Sequence, residues 1–321
     1  MNKKTKIWLV TATSLVIIGL VMFAAVIYNY NWDFSKLNTG RYETNTYEIS
    51  EEFSHISINA DTSDIVFALS QDSKCNVVCY EQDNTPHSVT VKENTLTINQ
   101  EDNRKWYEFV EINFSSPKIT VYLPKTDYTS LFIKESTGDI EMPGKFKFED
   151  ADIELSTGDV NFSASCSKLI KIKADTGKIH IENTSVGALN LSTATGDIKI
   201  SGVACEGDTS ISVSTGKTDL TDFQCKNLTS DGNTGDMTLK NVIATEHFTI
   251  HRTAGKVQFK DCDASEIFVQ TETGDVTGSL LTNKIFLAQT DTGNVNIPKT
   301  TDSGRCEIIT DTGDIKISIE N

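Results

Sequence analysis

Histidine is scarce, with five residues in 321, at positions 55, 87, 180, 247 and 251. None of them stands at a meaningful spacing from a nucleophile, which removes the usual serine- or cysteine-hydrolase constellation. After Tyr30 no stretch shows sustained helical periodicity, so a helical domain is excluded. Basic residues are few, 29 against 45 acidic, and Lys3, Lys4 and Lys6 precede the first apolar run. Beyond Lys6 the chain has 26 basic against 45 acidic residues, a net −19. Such a surface repels nucleic acid and anionic head groups, and favours cationic partners and metal ions. No CxxC pair and no Cys/His cluster points to zinc. Cysteine is present but odd in number, at seven, so at least one cannot pair within the chain. Cys205 with Cys225, or Cys75 with Cys79, are placed to form a disulfide in an oxidising exterior. The competing reading makes Cys166, Cys205, Cys225, Cys262 and Cys306 small apolar fillers.

What is abundant is one turn, Thr-Gly or its near copy, followed by Asp, Lys or Asn and then an apolar residue. Its glycines are Gly138, Gly158, Gly177, Gly196, Gly216, Gly235, Gly255, Gly274, Gly293 and Gly313, spaced by 19 or 20 residues throughout. A fixed period of this length marks a repeat architecture. Counted from the glycine, apolar residues alternate by two, the strand period. Two residues on stand Ile140, Val160, Ile179, Ile198, Thr218, Met237, Val257, Val276, Val295 and Ile315. Five residues before it stand Ile133, Ile153, Ile172, Leu191, Ile211, Ser230, Ile250, Val269, Ala288 and Ile308. One coil cannot bury two short strands, but stacked coils place like on like and build a continuous core. The expected fold is all-β: a β-solenoid of about ten 19–20-residue coils, about 4.8 Å per layer. The turn glycine follows from a repeated need for positive φ.

The chain in order begins with a cytoplasmic tail, residues 1–6, and an uncharged run, residues 7–28, long enough to span a bilayer as a helix. Trp8 at one end and Tyr28, Tyr30 and Trp32 at the other suit the two interfaces, and the lysines hold the N-terminus in the cytoplasm. The alternative is a cleaved signal peptide, which would have a shorter apolar region and a small-x-small site. Residues 29–48 read as a juxtamembrane spacer, and 49–130 as an irregular β capping segment of the same β structure. Within it Asp61-Thr62-Ser63-Asp64-Ile65 looks like a degenerate coil turn with serine for glycine. Residues 131–321 are the solenoid repeats.

The capping segment ending in Val121-Tyr122-Leu123-Pro124, then Leu131-Phe132-Ile133 and the serial Ser-Thr-Gly-Asp-Ile/Val coils, resembles the bacterial "putative adhesin" family of β-strand-repeat proteins across residues 49–321. The resemblance implies a cell-envelope protein, often membrane anchored, without established enzymatic activity and with no catalytic residues to carry over. It also implies an association with envelope-stress or membrane-associated regulatory systems, in which this chain would be an accessory.

Candidate sites are few. Asp-Thr-Gly at Asp175, Asp291 and Asp311 matches the aspartic-protease tripeptide, but here it samples a column that elsewhere reads Ser136, Ser156, Ala194 and Ser214. Stacked acidic turns can serve carbohydrate chemistry, with Asp139 and Asp159 on adjacent layers the candidate pair. Glu272, Asp275, Asp291, Asp311 and Asp314 form the candidate calcium cluster, calcium being the one cofactor considered. The expected partners are the membrane, through the N-terminal helix, and an envelope or membrane protein. The expected product is a non-enzymatic structural or adhesin-like interaction module, anchored once with its C-terminal domain extracytoplasmic. After Gly313 only eight residues follow, so Ile315, Ile317 and Ile319 are expected to form an uncovered final layer, open to self-association through this C-terminal edge.

The assignment of inner and outer positions has a direct test. Leu191→Asp, which sets an unpaired charge into a packed column, should destabilise the full-length chain by ~3 kcal/mol or more. Asp197→Ala should cost ~1 kcal/mol or less. Denaturant titration in detergent reads both, and equal small effects would shift the assignment by one residue.

Overall fold

Side chains two apart on a strand face the same way, so the apolar columns of the repeat become the inner wall of one coil stack. The computed structural model describes residues 2–29, 31–32, 41–104, 116–300 and 304–320. Successive coils pair in parallel with like positions in register, making a β-solenoid. Ile133, Ile153, Ile172, Leu191 and Ile211 lie one above another, as do Ile140, Val160, Ile179 and Ile198, and all are fully buried. All seven cysteines are buried and free, so neither Cys205 with Cys225 nor Cys75 with Cys79 forms a disulfide.

The turn column is glycine for two reasons. Gly177 has φ of +144°, and a Cβ placed there would stand 1.8 Å from the Gly158 carbonyl oxygen of the coil below. The next residue adds a second tie. Asp159 Oδ1 accepts the Lys178 backbone N–H at 2.8 Å, and Asp197 and Asp236 do the same for Lys217 and Lys256. From Asp159 to Asp275 aspartate and lysine alternate along this column, so there their charges also alternate from layer to layer, and Lys256 Nζ lies 3.1 Å from Asp275.

Ser63 continues the glycine column toward the N-terminus. The strands His55–Thr62 and Asp64–Leu69 form a true coil beneath the Gly138 coil, pairing Ile58 with Ile133 and Ile65 with Ile140. On its other side lie Thr95–Gln100 and Lys118–Leu123, still parallel. Then direction reverses: His87–Lys92 and Cys75–Gln82 are antiparallel to these, and Tyr42–Ile49 is antiparallel to Cys75–Gln82. The expected spacer is therefore shorter than 29–48, because residues 42–49 pair as a strand whose Tyr47 and Ile49 pack on the core. Tyr30 and residues 33–40 of that spacer lie outside the described residues. The helix Lys3–Asn29, which includes the predicted span, is long and apolar enough to cross a membrane.

At the far end the layers are out of chain order. Arg305–Thr312 pairs with Glu266–Thr273 on one side and with Ile285–Thr292 on the other. Ile315–Ile319 likewise pairs with Val276–Leu280 and with Val295–Asn296. The last coil thus slots between the two before it, and the Gly293 coil ends the stack. The expectation that Ile315, Ile317 and Ile319 form an uncovered final layer is corrected: Ile315 and Ile317 are buried, at 0% and 5% exposed. One local feature marks the turn of the Gly293 coil. Asn294 replaces the turn aspartate and donates to Asp314 Oδ1 instead of serving another layer. The crossing is pinned by Lys284, buried against Asp263 Oδ1 at 2.8 Å.

Arg252 and Glu135 carry charged groups into the columns of the core. Arg252 is 4% exposed, and its Nη2 donates to Ser230 Oγ at 2.9 Å and Thr218 Oγ1 at 3.1 Å, the two places where aliphatic columns turn polar. Burial pushes its guanidinium down to about 10. Gly232 in the coil below makes the room, since a Cβ there would stand 2.1 Å from Arg252 Nη1. Glu135, 2% exposed, sits between Ala60 and Leu155 and accepts the Ser63 N–H at 3.0 Å. Burial pushes its carboxyl up to about 8, against the lowering effect of the Ser63 and Thr137 backbone donors.

Each group generates a prediction. Gly232→Ala should cost roughly 1–3 kcal/mol through the clash, and adding Arg252→Thr should recover most of it, a coupling that denaturant cycles on the full-length chain measure. Glu135 keeps in the native state a proton that the unfolded chain loses near its ordinary pKa of 4.5. Its contribution is therefore complete below that value and is lost as pH rises toward about 8, by up to ~1.4 kcal/mol per pH unit. In Glu135→Gln that slope should vanish, so the Tm difference between variant and parent should grow in the variant's favour from pH 5 to pH 8; a constant difference would contradict the assignment.

Candidate functional site

The two ends of the stack differ in a way that follows from their strand directions. At the N-terminal end the antiparallel strands close the parallel core. At the other end the Gly293 coil has a neighbour on one face only among the described residues. Its inward side chains Phe286, Ala288 and Ile297 are only half-buried, whereas Cys306 and Ile308 directly beneath are covered. On the outer wall Ile285 and Leu287 are each 48% exposed, and Val295, in the inward column over the buried Ile315, is left 44% exposed. The strand Ile285–Thr292 carries one acidic residue, Asp291, and its outward edge offers backbone N–H and C=O groups to an added strand.

The acidic turn residues collect at this same end because of the out-of-order layering. Glu272, Asp311 and Asp291 fall at equivalent positions of three successive layers, and Asp275, Asp314 and Asn294 at the next. Asp275 Oδ1 accepts the Asp314 N–H at 3.0 Å, and Asp314 Oδ1 accepts the Asn294 N–H at 2.8 Å. These bonds, with Lys256 beside it, hold the Asp275 carboxyl below its ordinary range. Glu272, Asp291, Asp311 and Asp314 are exposed. Two of the five calcium candidates thus already serve backbone donors, while the other three point outward from one column. The Asp139 and Asp159 pair is engaged in the same turn ladder, Asp139 Oδ1 accepting the Asp159 N–H at 2.8 Å.

A second cluster was not visible in the sequence. Cys79, Glu81 and His87 come together inside the closed end, with ligand atoms all within 4.8 Å of one another. Alternation along Cys75–Gln82 puts Cys79 and Glu81 on one side, and the following turn returns His87 to them. Glu81 Oε2 accepts both the His87 N–H at 2.8 Å and His87 Nδ1 at 2.5 Å, while Asn45 Nδ2 donates to Glu81 Oε1 at 2.7 Å. Burial, with the Glu81 charge adding to it, pushes the Cys79 thiol up to about 12. The only sequence signal is Cys-x-Glu-x5-His, which matches no familiar ligand spacing. Three other histidines pair with acids, His251 with Asp231 at 3.2 Å, His247 with Glu266 at 3.4 Å and His180 with Glu182 at 3.7 Å, while His55 meets Ser130 Oγ at 2.7 Å.

No curated protein matches the chain. Among solved structures, a "putative adhesin" from Parabacteroides distasonis aligns over 76% of this chain and 98% of its own, at 12% identity and a TM-score of 0.47. A second "putative adhesin", from Bacteroides fragilis, covers 87% of this chain and 97% of its own, at 18% identity and a TM-score of 0.39. The Toastrack DUF4097 family profile matches residues 53–214 and again 204–321, nearly the whole solenoid with its capping segment, and the chain belongs to that family.

Proposed function

We propose that the chain is a non-enzymatic, membrane-anchored module of the cell envelope, fixed by its N-terminal helix with the solenoid outside, whose uncapped far end holds a partner protein. The observation that carries this reading is the asymmetry of the stack: one end closed by antiparallel strands, the other ending in a half-covered layer with Ile285, Leu287 and Val295 exposed. The apolar helix Lys3–Asn29 supports the anchor.

The occupant is an extended partner strand added to the edge of Ile285–Thr292, with apolar residues at alternate positions and basic residues flanking them. A second copy of this chain fits less well, because it would bring its own Glu272, Asp291 and Asp311 against the same acidic column.

A photo-cross-linking side chain at Leu287 in intact cells should give protein adducts, and the same group at Tyr122, exposed near the closed end, should not. Ile285→Lys should remove the Leu287 adducts while leaving the Tm of the chain within about a degree, since that side chain is half exposed. Adducts at both positions alike, or none at Leu287, would refute the tip, and adducts of the chain with itself would replace the partner strand by a second copy.

A further inference from the structure

The closed end of the core contains chemistry that the stacking does not require. Cys79 and Glu81 are 0% exposed and His87 is 3% exposed, so a thiol, a carboxylate and an imidazole share one dry site. Neighbouring strands hold two of them firmly: Asn45 Nδ2 donates to Glu81, and Tyr47 Oη donates to the His87 carbonyl at 2.7 Å. Yet His87 Nε2 is buried without a partner, and so is Asn84 Oδ1 in the same turn. Moving protons does not cure the imidazole. With the proton on Nδ1, Nε2 is a bare acceptor; in the imidazolium it is an unanswered donor; with a protonated Glu81 it is again an unanswered donor.

A divalent cation answers the charge as well as the geometry. Thiolate and carboxylate supply two negative charges, so the filled site is neutral and the buried carboxylate gains a counter-charge beyond its hydrogen bonds from His87 and Asn45. Sulfur, nitrogen and oxygen donors together select a borderline transition metal of the zinc class over calcium or magnesium, which want oxygen alone. We propose that Cys79, Glu81 and His87 bind one zinc-class ion, stapling Cys75–Gln82 to His87–Lys92 and sealing the N-terminal end of the solenoid core. On binding, the Cys79 S–H bond breaks, a sulfur–metal bond forms and the proton leaves to solvent, with no change of oxidation state. The site is a structural one, lying at the opposite end of the stack from the proposed partner edge, so each can fail without the other.

The test uses the tag-free full-length chain in detergent, stripped with a chelator and titrated with cobalt(II) and then zinc(II). One cobalt per chain should produce a thiolate-to-cobalt charge-transfer absorption that zinc displaces, and zinc should raise the Tm of the stripped protein. Cys79→Ser should lose the absorption, whereas Cys225→Ser, equally buried but far along the stack, should keep it. His87→Gln should weaken zinc at least tenfold in competition with a chromophoric chelator. Should the Cys79 variant fail to fold, the parent titration together with His87→Gln still decides. A parent with no charge-transfer absorption and a Tm indifferent to zinc overturns the proposal, as does an absorption that survives in Cys79→Ser.

Discussion

Everything in this solenoid depends on how closely one turn sits on the next. The carbonyl oxygen of each turn glycine occupies the place where a Cβ of the following glycine would lie. Only glycine permits that approach, and the approach fixes the register of both flanking strands to the residue. Once register is fixed, the apolar columns become a core without further specification. The aspartate after the glycine then finds the backbone N–H of the next layer within reach. Acidity of the turns is thus first a hydrogen-bonding feature and only secondarily a source of the −16 net charge.

A stack held by identical contacts has no intrinsic stopping point, so its ends need separate devices. At the N-terminal end the device is reversal of strand direction, which breaks the parallel ladder and lets Cys75–Gln82 and His87–Lys92 fold over the core. At the other end the Gly293 coil closes the order of layers, its Asn294 turned toward Asp314 of the layer beneath. The open end remains apolar, and the proposed partner surface rests on that feature.

The periodic part of the fold was legible because it is local in form. The 19–20-residue spacing and the two alternating columns locate inner and outer faces correctly from Ile133 to Ile317. Layer order was not legible. Columns say which positions stack, and the Gly293 and Gly313 coils have interchangeable columns, so the spacing does not say which of the two ends the stack. Tyr42–Ile49 escaped notice because its alternation is mixed, with Asn45 bonding Glu81 from a position that looks polar and solvated. The Cys79, Glu81 and His87 cluster was invisible for a related reason: the sequence separates His87 from its partners by a turn whose path only the antiparallel pairing reveals.

Interchangeable columns raise a further problem, since a rod of isoleucine ladders gains nearly the same burial after slipping by one layer. Arg252 removes that degeneracy. Its guanidinium finds hydroxyls at Ser230 and Thr218 and space at Gly232 in one arrangement only. A one-layer slip would set it against Val213, Ile211 and Ile198, fully apolar and with no room, leaving a buried cation with no acceptor. The two columns that turn polar at Ser230 and Thr218 are therefore the positions that tell one layer from another. In a repeat protein the core residues that break the pattern carry the information that the pattern itself cannot hold, and they do so by making every wrong register cost more than the small difference between one aliphatic contact and the next.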